Sequence, residues 1–432
     1  MLRALIFRTL TTNVLVMTLG LVNSILLSRW LGPTGRGEIA AAMLWPTMLI
    51  YLSSFGLIAA LLYFSALPEA DTQRLFSNAT TLALGQGALA IAFGFLAMPF
   101  LLRSQTADVV NASRWYLPVI LLSLVTQYGT SILQGCMRIT AFNWLRLILP
   151  VGYLVGTLIL MSVRALNLRH IIFLHLALNL IALMATIIML SQSHVRLRLH
   201  LDLEQAKPLL KYGAKVHVGN LSAVANMNLD QALMAAWLPA NALGLYVVAV
   251  SAASLMQVFS QAVQMVSTPS ITQKGSVAEQ SAVLQGIFRR YWLLSLLLGM
   301  GIAMLLPLAI PLVFGASFKA SVLSAEILLC GMFFIGAKDV LAGGAQALGN
   351  PWLGSKAQLI ALIVTVVALY FLLPRWGIVG AATATAAAYT TQFIIVITDL
   401  RRIHGISPVE LFRIKSQEVT SMFNFFGAKK VA

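Results

Sequence analysis

The chain has 432 residues, of which 59% are hydrophobic and only 10% are charged, and its mean hydropathy is +0.88. Ordinary soluble domains carry about 25% charged residues, so this composition excludes a soluble enzyme or binding module and predicts a protein that crosses a membrane many times. The formal net charge of +16 comes from basic residues scattered through short loops, which is typical of membrane proteins and argues against a nucleic-acid partner.

Apolar stretches long enough to cross a bilayer, about 20 residues each, occur twelve times. They cover residues 9–30, 39–64, 77–102, 114–134, 142–163, 170–191, 211–237, 243–268, 290–313, 322–346, 354–373 and 376–398. The sequence therefore predicts an all-α integral membrane protein with twelve transmembrane helices in two six-helix bundles around a central cavity. The predicted domains are an N-terminal bundle, a cytoplasmic linker, a C-terminal bundle and a cytoplasmic basic tail, over residues 1–192, 193–210, 211–398 and 399–432.

The distribution of basic residues predicts the orientation. An even number of spans places both termini on one side, and that side or its flank carries twenty Lys and Arg residues against eight on the other. Because positive charge accumulates on the cytoplasmic side, we expect both termini in the cytoplasm. The tail either lies on the cytoplasmic leaflet or is disordered.

Two successive spans, 211–237 and 243–268, contain polar residues that cannot face lipid. At 100° per residue, one stripe of the first span holds His217, Asn220, Asn228 and Gln231, and the opposite stripe holds Lys215, Asn226 and Asp230. A single stripe of the second span holds Ser254, Gln257, Gln261, Gln264 and Thr268. Polar groups at that depth must face protein or water, so we expect both helices to line a hydrated cavity.

A faint internal repeat links the two halves of the chain. A shift of 207 residues places Asn13 on Asn220, Asn23 on Asp230 and Gly37 on Gly244. Together with the six-plus-six count, this favours two halves related by an axis along the membrane normal, as in several transporter folds.

Three motifs resemble those of the polysaccharide transporter, or oligosaccharide flippase, family. Residues 29–37 fit the family's Arg-x-Leu-Gly-Pro-x-x-x-Gly turn, and residues 345–350 with 373–382 resemble its C-terminal pattern, which ends in a Gly-Ile-x-Gly-Ala-Ala turn. Gln134 and Gly135 add to the likeness, which extends over nearly the whole chain.

The resemblance implies the fold of the multidrug/oligosaccharidyl-lipid/polysaccharide exporter superfamily. It also implies a flippase in the cell (inner) membrane that moves a lipid-linked oligosaccharide for surface polysaccharide biosynthesis, with membrane lipids as partners and contact with polysaccharide polymerase machinery left open. No nucleic acid, cofactor or metal is expected: Cys136 and Cys330 lie in or beside apolar segments, and no His, Asp or Glu cluster has metal-ligand spacing. No Walker motif is present, so ATP hydrolysis by this chain is not expected.

A polyprenyl-pyrophosphate head group requires cations for its phosphates and hydrogen-bonding groups for its sugars. We predict a substrate cavity formed by Asn13, Asn23, Arg29, Lys215, Asn220, Asn226, Gln257, Gln261 and Gln264. Further candidate cations are Arg36, Arg146 and Lys338. Alternatives stay open: Lys215 and Arg146 could snorkel to head groups, Lys338 could be compensated by Asp339, and the glutamines could form interhelical hydrogen bonds.

Asp230 is the residue predicted for ion coupling, because an acid within a span is a functional candidate. A hydrogen-bonded structural carboxylate is the alternative. Two other functions also stay open. An ion-coupled drug/cation antiporter of the same superfamily would need acids in its cavity, and a membrane-embedded polysaccharide polymerase or ligase would need a larger exported loop than residues 103–114 provide.

Overall fold

A computed structural model describes residues 2–350 and 352–413. Apart from one 3₁₀ turn at Ala316–Ser321, the regular elements of these described residues are α-helices. In chain order they are α1 (Leu2–Ser53), α2 (Leu57–Ser65), α3 (Thr72–Leu101), α4 (Ala107–Tyr116), α5 (Val119–Gly135), α6 (Ile139–Ser162), α7 (Leu168–Ser191), α8 (Leu203–Trp237), α9 (Ala240–Ala253), α10 (Leu255–Thr272), α11 (Val277–Phe314), α12 (Val322–Ala347), α13 (Trp352–His404) and α14 (Pro408–Phe412).

Nine of the helices in the described part of the chain are long and apolar enough to cross a membrane, judged by length and composition. In this count α1 and α13 are one span each, α4 with α5 and α9 with α10 are also one span each, and α8 is not included. The all-helical membrane class predicted from composition is therefore confirmed, whereas the number twelve is not established by this count.

The two longest helices are each interrupted at a glycine. Gly32 in α1 has φ 66° and ψ −174°, and Gly377 in α13 has φ 53° and ψ −127°. Positive φ values disfavour residues with a Cβ atom, and prolines at positions 33 and 374 lie close to the two breaks. Both breaks fall inside the motifs that carry the family resemblance. Gly32 lies in the turn expected between the first two spans, and Gly377 lies at the beginning of the span predicted over 376–398.

Three helix boundaries differ from the predicted spans. Helix α8 begins at Leu203, inside the segment predicted as a linker, because the Asp202 carboxylate accepts a hydrogen bond from the Glu204 backbone amide at 3.0 Å. The predicted fourth span is two helices, α4 and α5, divided near Pro118. The eighth is likewise divided into α9 and α10 at Ser254.

The chain forms two compact units. The first comprises Met1–Val248 with Val313–Phe318, and the second comprises Ala249–Leu312 and the chain from Lys319 onward. This division by compactness falls after Val248, and the division into two six-helix bundles stays a prediction.

The second unit has a hydrophobic core that includes residues from the segment predicted as a tail. Helix α13 continues to His404, and Ile406 and Leu411 are buried in one cluster with Phe288 and Phe393. The Arg289 guanidinium donates a hydrogen bond to the Glu410 carbonyl at 2.8 Å. Residues 406–412 therefore dock on their own unit, because their apolar side chains match an apolar surface. Residues 414–432 of the predicted tail lie outside the described residues.

Candidate functional site

A polar cavity of about 310 Å³ lies within the first unit. Both sections of α1 line it on either side of the Gly32 break, and α7, α8 and α9 complete it. Its polar lining residues are Asn23, Ser24, Arg36, Thr47, His175, Asn228 and Gln231. Among the described residues of this lining, Arg36 is the one Lys, Arg, Asp or Glu. The cavity thus combines one strong cation with several hydrogen-bonding groups.

The Arg36 guanidinium has few partners. Its Nη2 atom donates to the Ser24 hydroxyl at 3.5 Å, which is a long hydrogen bond. Its Nε atom is shielded from solvent and has no hydrogen-bond partner among the described residues. Within the same described residues, no carboxylate forms an ion pair with Arg36. A shielded guanidinium of this kind is suited to an anionic oxygen group, which it can bind through several N–H donors.

Asn23 has a buried polar atom without a hydrogen-bond partner among the described residues. Its Oδ1 atom is shielded from solvent and accepts no hydrogen bond from the described residues. Asn228 on α8 uses its amide to donate to the Val224 carbonyl at 2.9 Å, which leaves its oxygen as an acceptor. The cavity can therefore accept hydroxyl hydrogens as well as bind an anion.

His175 closes the α7 side of the cavity. Its ring packs against Tyr153, and its Nδ1 atom lies 3.5 Å from the Tyr116 hydroxyl. The structure thus places the His175 ring between two tyrosines and the cavity.

Asp230, the predicted coupling residue, is 3% exposed and lies on α8 outside the cavity lining. Its carboxylate accepts a hydrogen bond from the Tyr246 hydroxyl on α9 and one from the Gln231 backbone amide. The carboxylate is therefore held between two helices of the first unit, and Gln231 connects it to the cavity.

The other substrate residues predicted in the first unit, where their side chains are described, are not part of the cavity lining. Asn13 on α1 has a shielded Oδ1 atom without a partner among the described residues. Arg29 is exposed and donates from Nε to the Val313 carbonyl at 2.7 Å. Lys215 is exposed on α8. Asn226 is buried, donating to the Ser222 carbonyl at 3.0 Å, and the side chain of Asn220 lies outside the described side chains.

The predicted glutamine stripe belongs to the second unit, on α10. Gln264 donates from Nε2 to the Asp339 carbonyl on α12 at 3.0 Å. Gln257 is half-buried and Gln261 is exposed. The interhelical bond expected as an alternative is thus present at Gln264.

Two of the further candidate cations have local partners. The buried Lys338 ammonium forms an ion pair with Asp339, the next residue, so the charge compensation considered as an alternative is observed. The Arg146 guanidinium lies 5.3 Å from the Phe142 ring centroid, a cation–π contact between successive turns of α6. In the part of the chain that the structure describes, no group of three or more His, Cys, Asp or Glu side chains could hold a metal ion.

A profile of the family described as "Polysaccharide biosynthesis protein" matches residues 26–323. The chain belongs to this family. A relative from Haloferax volcanii, described as "probable low-salt glycan biosynthesis flippase Agl15", is 25% identical over 281 residues, which are 64% of this chain. The chain spans 58% of that relative's length.

Solved structures show the fold of this family member. A structure of the lipid II flippase MurJ in an inward closed conformation matches with a TM-score of 0.75 at 13% identity, covering 99% of this chain and 94% of that one. An inward-facing multidrug resistance MATE family transporter of the MOP superfamily also gives 0.75, at 14% identity and 90% and 95% coverage. The fold expected from the motifs is confirmed, and the chain is a multi-pass membrane protein.

The sequence pointed to α1 and α8 for this cavity, but α7 was not predicted to line it. Asn23 was predicted as a substrate residue and Arg36 as a candidate cation, whereas Asn228 and Gln231 were placed on a polar stripe without being assigned to the substrate site. The signal that could have found Asn228 and Gln231 was their shared stripe on α8. Their assignment required knowing which stripe faces α1, and this depends on tertiary packing.

Proposed function

We propose that this family member is a flippase that moves a lipid-linked oligosaccharide, a polyprenyl-pyrophosphate glycan, across the cytoplasmic membrane by alternating access, for surface polysaccharide biosynthesis. The observation that carries the proposal is the cavity of the first unit, where the shielded Arg36 guanidinium lacks a carboxylate partner among the described residues. Burying an uncompensated charge is unfavourable, so the site favours an anionic ligand. The family description and the flippase relative support a glycan-lipid substrate.

A twelve-helix arrangement in two bundles belongs to the same proposal. The nine candidate spans become eleven when α1 and α13 are each divided at their glycine breaks, and α8 supplies a twelfth. Helix α8 is long enough to cross a bilayer but less apolar than the other spans, since it carries Asn228 and Gln231 in the cavity and Asp230, which bonds to α9. With an even number of spans and the basic residues distributed as above, the proposal includes both termini in the cytoplasm and the inner membrane as the location.

Within this proposal, Arg36 binds the phosphates, and Asn23, Asn228 and Gln231 bind sugar hydroxyls. The exposed Arg29 and Lys215 attract the anionic head group. On the same two helices, Asn13, Asn220 and Asn226 supply further hydrogen-bonding groups. Gln257, Gln261 and Gln264 on α10 are proposed as further hydrogen-bonding groups for sugar hydroxyls. Asp230 couples ion movement to transport through its bond to Tyr246.

A drug/cation antiporter is the second candidate, because MATE transporters share the fold. A cationic drug would favour acidic cavity residues, and the described lining of this cavity contains Arg36 but no Asp or Glu. The charge of the cavity thus favours the flippase over the antiporter. The names of the relatives are those of transporters and flippases, so a polymerase or ligase is not part of the proposal.

The test uses a strain of the source organism from which the gene is deleted. Lipid-linked oligosaccharide on the cytoplasmic leaflet is quantified after restoring wild type, Arg36→Gln or Arg74→Gln at matched protein levels. Arg74 is an exposed arginine in a surface ion pair with Asp71, so Arg74→Gln removes the same charge outside the cavity. We expect accumulation in the deletion strain, relief by wild type and Arg74→Gln, and no relief by Arg36→Gln. No accumulation, together with a change in sensitivity to cationic drugs, would instead support the antiporter.

A further inference from the structure

A second polar groove, separate from the cavity, lies between the first section of α1 and the beginning of α6. Its volume is about 540 Å³. Helix α1 contributes Arg8, Thr11, Thr12 and Leu15, and α6 contributes Thr140, Asn143, Trp144 and Leu147. Each set follows the spacing i, i+3, i+4, i+7, so the groove is bounded by one continuous face from each helix.

The polarity of the groove changes along its length. Arg8 and Thr140 begin the two faces, and Leu15 and Leu147 end them, seven residues further along each helix. At about 1.5 Å per residue, this difference corresponds to about 10 Å of depth. A polar end at the membrane surface and an apolar end within the bilayer match the two parts of a phospholipid, the head group and the beginning of an acyl chain.

Asn143 provides a specific polar group at the head-group end. It is 6% exposed, and its Nδ2 atom donates to the Thr9 hydroxyl at 3.1 Å, which fixes the orientation of the amide. Its Oδ1 atom is shielded from solvent and accepts no hydrogen bond from the described residues. A buried acceptor without a donor is unfavourable, so the position favours a ligand that brings an O–H group.

Arg8 and Trp144 supply the remaining recognition chemistry. Arg8 is exposed, and its guanidinium forms no ion pair within the described residues. Trp144 is 63% exposed beside the groove, and tryptophans are enriched at the level of lipid head groups. Basic pockets between transmembrane helices on the cytoplasmic side are suited to anionic head groups.

We propose that this groove binds an anionic phospholipid whose head group carries a hydroxyl, as phosphatidylglycerol does. The phosphodiester binds Arg8, the head-group hydroxyl donates to Asn143 Oδ1, and one acyl chain lies along Leu15 and Leu147. The site is distinct from the proposed substrate cavity and does not depend on which molecule the protein transports.

The experiment measures binding to the full-length protein in detergent, from the shift in melting temperature as each lipid is titrated. Three short-chain lipids are compared. Phosphatidylglycerol has the charge and the hydroxyls, phosphatidylmethanol has the charge but no head-group hydroxyl, and phosphatidylcholine has no net charge. We expect affinity to fall in that order. Native mass spectrometry of the same samples reports how many lipids remain bound.

Two variants test the Arg8 contact and the Asn143 contact separately. Arg8→Gln is expected to weaken binding of both anionic lipids about fivefold, since one basic residue near the surface contributes about 1 kcal/mol. Asn143→Leu is expected to bind phosphatidylglycerol and phosphatidylmethanol with equal affinity. It should still bind both of these anionic lipids more tightly than phosphatidylcholine. Arg74→Gln, the matched control, is expected to change neither. A variant that unfolds is recognised by its melting temperature without lipid, and the remaining variant still tests the site.

Three results would overturn the proposal. The first is equal affinity for phosphatidylcholine and phosphatidylglycerol. The second is an equal loss of affinity in Arg74→Gln and Arg8→Gln, which would indicate a general effect of net charge. The third is complete displacement of phosphatidylglycerol by a polyprenyl phosphate, which would assign the groove to the transported substrate.

Discussion

Gly37 and Gly244 lie 207 residues apart and contact each other reciprocally, backbone against backbone. A Cβ atom at Gly37 would overlap the Ala240 carbonyl and lie 2.8 Å from the Gly244 nitrogen. A Cβ atom at Gly244 would overlap the Pro33 carbonyl and lie 2.9 Å from the Gly37 nitrogen. Pro33 and Ala240 are also 207 residues apart, so the contact repeats itself under the shift found in the sequence. Equivalent segments of the two halves therefore cross here with the same geometry.

Replacement of either glycine by alanine is expected to lower the melting temperature of the protein. The added methyl group meets backbone atoms, which cannot move aside as a flexible side chain can, and overpacking of this kind destabilises by about 1–3 kcal/mol. Gly85→Ala on α3 is the control, because a Cβ atom there has no heavy atom within 4 Å among those described. Thermal unfolding in detergent measures all three variants. An unchanged melting temperature in both Gly37→Ala and Gly244→Ala would contradict the close crossing.

Asp230 and Tyr246 can be tested as a coupled pair. Tyr246→Phe removes a hydrogen bond to a buried carboxylate, so we expect a loss of about 1.5–3 kcal/mol in the free energy of unfolding. Asp230→Asn keeps an oxygen that accepts from Tyr246 but cannot exchange a proton. Because asparagine has one acceptor oxygen where the carboxylate uses two, for Tyr246 and for the Gln231 amide, we expect this variant to unfold at a lower temperature than wild type and to lose the pH dependence of transport.

Transport in proteoliposomes with an imposed pH difference separates a coupling role for Asp230 from a structural one. If Asp230→Asn transports with the same dependence on the pH difference as wild type, Asp230 is a structural acid. Arg74→Gln is the control, since Arg74 is exposed in a surface ion pair with Asp71 outside the cavity.

The turns between spans were predictable because their chemistry is local. Gly32 lies next to Pro33 and Gly377 lies three residues after Pro374, and both glycines have a positive φ. The membrane class was predictable from composition for the same reason, because hydropathy is a sum over residues and needs no tertiary information.

The cavity was only partly predictable, because its lining depends on which helix faces are apposed. The two polar stripes of α8 were visible in sequence, and the structure gives them different neighbours. Asn228 and Gln231 line the cavity, whereas Asn226 and Asp230 are buried, with Asp230 bonded to α9. Spacing alone could not say which stripe would meet Arg36. The docking of residues 406–412 was missed because a short apolar segment after a basic stretch gives no periodic signal.

The cysteines provide a direct test of membrane orientation. Cys136 is exposed in the loop after α5, on the side predicted to be cytoplasmic, whereas Cys330 lies on α12 within a candidate span. A membrane-impermeant maleimide is expected to label the protein in inside-out vesicles but not in intact cells. Cys136→Ser should abolish this labelling and Cys330→Ser should not. Labelling of intact cells that depends on Cys136 would reverse the predicted orientation.

The labelling of Cys136 should also depend on pH in a defined direction. Partial burial raises the pKa of the Cys136 thiol above its ordinary value, and the charge of Arg138 opposes this effect in part. The thiolate is the reactive form, so raising the pKa lowers its fraction at neutral pH. We expect the labelling rate to keep rising beyond about pH 8.5, the ordinary pKa of a free thiol. A free-thiol peptide labelled in parallel should approach its plateau at lower pH.

Leu411 is expected to anchor the end of the described chain to the second unit. It is fully buried in a cluster with Phe288, while Phe412 packs edge-on against Trp292 with ring centroids 4.9 Å apart. Truncation of a buried leucine to alanine typically destabilises by about 2–5 kcal/mol, so Leu411→Ala should release residues 406–412. Val409→Ala is the matched control on the same short helix, because Val409 is 71% exposed. Limited proteolysis of the purified protein should cut the Leu411→Ala variant near residue 405 much faster than wild type or Val409→Ala. Equal cleavage rates in all three would show that this contact does not hold the segment in place.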